Sequence, residues 1–190
     1  GEGEMMTITL PNTTSSGLGI LTNSNTKSLS FDGVDDYVSI SDSNDLEGMN
    51  ELTVQLSVKF NSFGFQTNNK GSRLIEKFQS ANANAVGSYA FYTHHDSDML
   101  TFLVQTENGQ KGANVSLTDN INTGQWNHLL GKYNGSTVEM YINGELKAQN
   151  NHTGTILSNS YPLEIGNKND TNTQFFDGLI DEVSIINKSL

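Results

Sequence analysis

The sequence contains no cysteine, which excludes disulfides, thiolate metal sites and a cysteine nucleophile. It has only two prolines, so most of the chain is free to pair as strands. Basic residues are scarce as well: ten Lys and Arg stand against 21 Asp and Glu, a formal charge of −11. A nucleic-acid binder needs a basic stripe to displace counterions, and none is present. An anionic membrane surface would repel the chain for the same reason. No apolar run approaches the roughly 20 residues of a membrane-spanning helix, so membrane insertion is not expected. No basic segment followed by an apolar run marks a secretory signal. Charged residues of both signs make up only 16% of the chain, leaving Asn, Ser, Thr and Gly to supply most of the solvent-facing surface.

What is present is alternation. The apolar residues, 34% of the total, fall in short period-two runs separated by turn residues. Strands are expected at 7–10, 28–31, 37–40, 52–60, 73–78, 89–93, 100–106, 115–117, 125–133, 138–142, 145–149, 163–165 and 179–186. Asn143-Gly144 is a hairpin turn signal, and no window reads well at helical spacing. The pattern predicts an all-β fold, a two-sheet antiparallel β-sandwich. Residues 1–26 read as a lead-in headed by a cloning remnant, Gly1-Glu2-Gly3-Glu4, and 27–190 as one domain. Leu100, Phe102 and Val104 share a face, as do Tyr89, Phe91 and Thr93. Ser88, Ala90, Tyr92 and His94 then point the other way. Tyr133, Tyr141, Phe31, Phe60, Phe91 and Phe102 are expected in the core.

Five segments, in order, resemble a laminin-G-like jelly roll of the concanavalin A-like lectin/glucanase superfamily. They are Ser28–Val38 (SLSFDGVDDYV), the 52–60 strand, Thr123–His128 (TGQWNH) with Tyr133–Gly144 (YNGSTVEMYING), Pro162–Gly166 (PLEIG) and Phe176–Ile185 (FDGLIDEVSI). The resemblance spans residues 27–190 and implies a concanavalin A-like jelly roll in which the terminal strands pair. The fold hosts lectins, carbohydrate-binding modules, glucanases, lyases and adhesion domains, so it does not settle the function.

Relatives often carry a structural calcium. Here Asp32 and Asp35, with Asp181 from the other terminal strand, are the candidate ligands, since calcium takes six to eight oxygens. The alternative is that these aspartates cap turns. The resemblance places Trp126 and His128 in the framework, with Trp126 packed under a loop. The residues that break the core pattern are better ligand candidates. Tyr92, His94 and His95 cluster at a strand end, Phe63 and Phe65 sit in a Gly/Asn loop, and Tyr161 and the pair Phe175-Phe176 lie beside loops. Aromatics interleaved with Asn, Gln and Asp offer flat apolar contact plus planar hydrogen bonding, which a glycan requires; packing of these aromatics against the rim is the alternative.

Catalysis is not expected. The Glu-x-Asp-x-x-Glu strand of the superfamily's glucanases is absent. So is the Arg-x-Glu and Gln-x-His pairing of its lyases, Arg73 being followed by Leu74, Ile75 and Glu76. The reading is a non-catalytic, lectin-like module that binds glycan or polysaccharide, calcium-stabilised, extracellular or cell-surface, within a larger protein whose other domains it contacts. An adhesion or structural module binding a protein partner is the alternative. A glycanase or polysaccharide lyase is the remote one.

Overall fold

The computed structural model describes residues 27–64, 71–79, 86–167 and 174–190, and these form a two-sheet antiparallel sandwich of six strands a side. One sheet runs in the order β1 (Leu29–Asp32), β12 (Asp177–Ile186), β3 (Leu52–Phe60), β8 (Trp126–Tyr133), β9 (Thr137–Ile142), β10 (Glu145–Asn151). The other runs β2 (Val38–Ile40), β11 (Leu163–Ile165), β4 (Arg73–Gln79), β5 (Val86–Thr93), β6 (Met99–Thr106), β7 (Gly109–Ser116). The terminal strands pair as expected, with Leu29 opposite Ile180.

Alternation builds the core. In β3, Leu52, Val54, Leu56, Val58 and Phe60 are fully buried between the sheets, while Gln55, Ser57 and Lys59 face outward. Phe91 and Phe102 meet at 4.8 Å from the other side. At one end Phe31, Phe176, Phe60 and Phe63 form an edge-to-face chain with centroid separations of 6.0, 5.1 and 5.4 Å. Asn143 and Gly144 both have positive φ, +53° and +82°, as a two-residue turn matching strand twist demands.

Two sequence expectations change. The strand expected at 115–117 begins at Gly109, and Leu117–Asn120 is a helical turn capped by Ser116. The polar, Gly-containing stretch from Gly109 pairs because β6 offers a partner along its whole length, from Met99↔Ser116 to Thr106↔Gly109. Tyr141 leaves the core for the outward face, where its hydroxyl donates to Glu139 Oε2 at 2.7 Å. The strand expected at 7–10 lies outside the described residues.

Candidate functional site

The outward face of the β2–β7 sheet carries a groove. Strand register fixes its floor, because residues opposite one another on neighbouring strands share a face. One row reads Ser39, Glu164, Glu76, Ala90, Leu103, Gly112 across β2, β11, β4, β5, β6 and β7. The next row reads Arg73, Tyr92, Thr101, Asn114. Phe78 and Gln110 bound the opposite side, and the open groove has a volume of about 130 Å³. Its floor is apolar and shallow at Ala90 and Leu103, and Gly112 adds no side chain.

An extra residue in β4 makes this site possible. Strict alternation would put Arg73 on the core face with Ile75. A register shift between them turns Arg73 outward, beside Glu76. The two charges meet at 2.7 Å between Nε and Oε2, although the Nε–H does not point along the contact as a hydrogen bond would. The Arg73 guanidinium also lies 4.2 Å from the centroid of the Tyr92 ring. Tyr92 in turn lies 5.0 Å from the His94 ring.

A hydrogen-bond relay continues from there. The Thr101 hydroxyl donates to Asn114 Oδ1 at 2.9 Å and has no second proton. His94 Nε2, 2.9 Å from the same oxygen, is therefore the donor. Burial holds the His94 pKa below its ordinary value, with Arg73 acting in the same direction and Asp96 opposing, so the imidazole is neutral at pH 7. The Arg73 guanidinium and the Tyr92 phenol thus line the groove, and the His94 imidazole, the Thr101 hydroxyl and the Asn114 amide continue the connected set beyond its edge.

The ion pair's own carboxyl faces a second one on the adjacent strand. Glu76 and Glu164 are opposite each other, with 1% and 6% of their surface exposed. Burial pushes the Glu164 pKa up, opposed by a hydrogen bond from Asn167 Nδ2 to Oε2 at 3.2 Å. A scan for carboxylates on a single strand misses this pair, which only the cross-strand register reveals.

The ligand candidates from sequence divide. Tyr92 and His94 are brought together on the outward face. His95 does not line the groove; it is exposed on the following turn, with Nε2 3.8 Å from Asp96 Oδ2. Phe63 is a correction: it is buried, 5% exposed, against Phe60, because the chain after β3 turns back over the core. Phe176 is likewise core. Phe65 lies outside the described residues. Tyr161 is half-buried in a loop fixed to Lys77, whose Nζ donates to the Tyr161 carbonyl at 2.9 Å.

The acidic corner is different. Asp32, Asp35 and Asp36 bring carboxylate oxygens within 4.8 Å of one another, a hard-oxygen donor set of the kind calcium accepts. Asp32 Oδ1 accepts from Val34 N–H at 2.8 Å, and Asp36 Oδ2 from Asp32 N–H at 3.1 Å, so turn capping is present too. Asp181 is not in this cluster. It sits on β12 opposite Ser57.

On the other sheet's outward face the indole of Trp126, expected under a loop, is 46% exposed across from Lys59. Leu130, Tyr141 and Leu146 form a second outward row there.

Known structures share this architecture. The mouse laminin alpha1 chain, domains LG4-5, superposes with a TM-score of 0.60 at 16% identity, covering 86% of this chain and 42% of that one. The present chain thus spans well under half of that laminin structure. The SAP-like pentraxin of Limulus polyphemus gives 0.60 at 15% identity, covering 85% and 76%. The CBM40 of Ruminococcus gnavus IT-sialidase, bound to alpha2,3 sialyllactose, gives 0.62 at 13%, covering 86% and 92%. At such identities the likeness concerns the fold. No curated protein sequence matches the chain. The sequence pattern of Laminin_G_3 matches residues 32–190, and the chain therefore belongs to that family of the concanavalin A-like lectin/glucanases superfamily.

Proposed function

We propose that this domain is a non-catalytic carbohydrate-binding module whose ligand lies in the groove on the β2–β7 sheet. The observation that carries the reading is the stacked pair of Arg73 and Tyr92 beside an apolar floor of Ala90 and Leu103, with His94, Thr101 and Asn114 bracing Tyr92's end of the row from outside the groove. The Tyr92 ring and the apolar floor receive the C–H faces of a sugar, while the Tyr92 hydroxyl and the Gln110 amide take its hydroxyls. A binding module is favoured over a hydrolase by the state of the carboxyl pair. Glu76 is tied to Arg73, and Glu164, opposite it on β11, is not among the residues that line the groove. The likeness to a carbohydrate-binding module supports the same reading.

A calcium ion held by Asp32, Asp35 and Asp36 is part of the proposal, the three carboxylates forming the donor set at the β1 turn. So is an extracellular or cell-surface setting within a larger polypeptide, in keeping with the laminin likeness. A second reading, a surface that binds a protein partner, is favoured by the exposed Trp126 and Leu146 on the opposite sheet.

The test is a glycan array followed by calorimetry on the best ligand. Tyr92→Ala is expected to weaken binding about tenfold, the loss of roughly 1.4 kcal/mol of ring contact. Trp126→Ala is expected to leave it unchanged. The reverse pattern would move the site to the other sheet.

A further inference from the structure

We infer, resting on the groove as the ligand site, that it selects uncharged oligosaccharides over uronic, sialic or sulfated ones. An acidic sugar is recognised by a guanidinium or ammonium whose donors face it. Among the described residues Arg73 is the one cation lining the groove, and it is already committed. Glu76 Oε2 stands 2.7 Å from its Nε, and the two side chains are 13% and 2% exposed. The Tyr92 ring covers the guanidinium at 4.2 Å. Lys77, on the same strand, is fully buried, and its Nζ donates to Asp42 at 2.6 Å.

Glu164 adds a second carboxyl opposite Glu76. An anion brought to Arg73 would meet at least as much negative as positive charge, within a chain of net charge −11. Uncharged hydroxyls meet no such penalty, since the Gln110 amide that lines the groove and the exposed Asn114 amide beyond its edge can accept from them or donate to them. The shape agrees. The floor crosses four strands, about 14 Å at the usual spacing, so it suits an extended chain of sugars lying across the strands.

The experiment is calorimetry of the 190-residue chain with neutral cello-, manno- and galacto-oligosaccharides, set against oligogalacturonate and sialyllactose. Tyr92→Ala, Tyr92→Phe and Glu76→Gln are measured in parallel, with circular dichroism to establish folding. The inference expects a neutral ligand to bind at least about tenfold tighter than any acidic one, with loss in Tyr92→Ala and retention in Tyr92→Phe. Glu76→Gln, which releases the Arg73 charge, is expected to narrow that gap by about tenfold. Tighter binding of an acidic ligand, still lost in Tyr92→Ala, would overturn the charge inference and leave the groove in place. Ligand binding indifferent to Tyr92→Ala, or no binding of either class, would remove the groove and the inference together. Should Glu76→Gln fail to fold, the unmodified chain decides between neutral and acidic ligands by itself.

Discussion

At the scale of single residues, burial sets the behaviour of Glu164. Its folded pKa lies above the ordinary value, so between the two values the folded state holds more protons than the unfolded state. Its contribution to stability is therefore full below the ordinary glutamate range and is lost as pH rises through the raised value. Glu164→Gln, which keeps an acceptor for Asn167, is expected to be more stable than the parent at pH 7 and indistinguishable from it near pH 4, by urea titration at both values. The aspartate corner yields a second expectation. Calcium at a hundredfold excess over its Kd would add about 2.7 kcal/mol, seen as a chelator-reversible rise in Tm. Asp35→Asn should abolish the rise. No rise in the parent would show that the aspartates only cap the turn.

At the scale of elements, β4 does the positioning. Its displaced register presents Arg73 and Glu76 outward, while Lys77 stays fully buried and gathers Asp42, at 2.6 Å, with the carbonyls of Tyr161 and Asn159 at 2.9 and 3.2 Å. Lys77→Met retains the aliphatic bulk but orphans those acceptors. It is expected to cost roughly 3 kcal/mol in chemical denaturation. The inner face is equally tight at β8, where a Cβ on Gly131 would fall 2.3 Å from the Phe102 ring. Gly131→Ala should cost about 1–3 kcal/mol by overpacking, and Phe102→Leu in the same chain should restore part of it.

Strands such as β3 and β6 were readable because a buried inner face and a wet outer face impose strict alternation, and Tyr92 and His94 followed from the same rule. Arg73 with Glu76 was not readable, since one extra residue reverses a side chain's face and leaves no mark in composition. Glu164 joins them only through a pairing across sequence-distant strands. Phe63 and Trp126 were misplaced because an aromatic beside a turn can fold inward or outward at equal local cost, and only packing decides.

At the scale of the whole molecule, β12 closes the sandwich. It pairs with β1 on one side and β3 on the other, and Ile180 enters the core. A chain ending at Phe176 would expose two strand edges and the inner faces they cover. It is expected to lack a cooperative thermal transition by calorimetry, while a chain ending at Lys188 should keep one. In the sheet that holds β12 the pairings β1–β12, β12–β3 and β3–β8 join sequence-distant strands, and their formation waits on long loop closures.

The groove has the opposite construction. Strands β4, β5, β6 and β7 are consecutive in the chain and neighbours in the sheet, so every residue that lines the groove comes from the single stretch between Arg73 and Gln110. The proposed ligand site is thereby carried on one uninterrupted piece of gene. It can drift, or be grafted from one relative to another as a cassette, while the strands that knit the two termini together stay as they are.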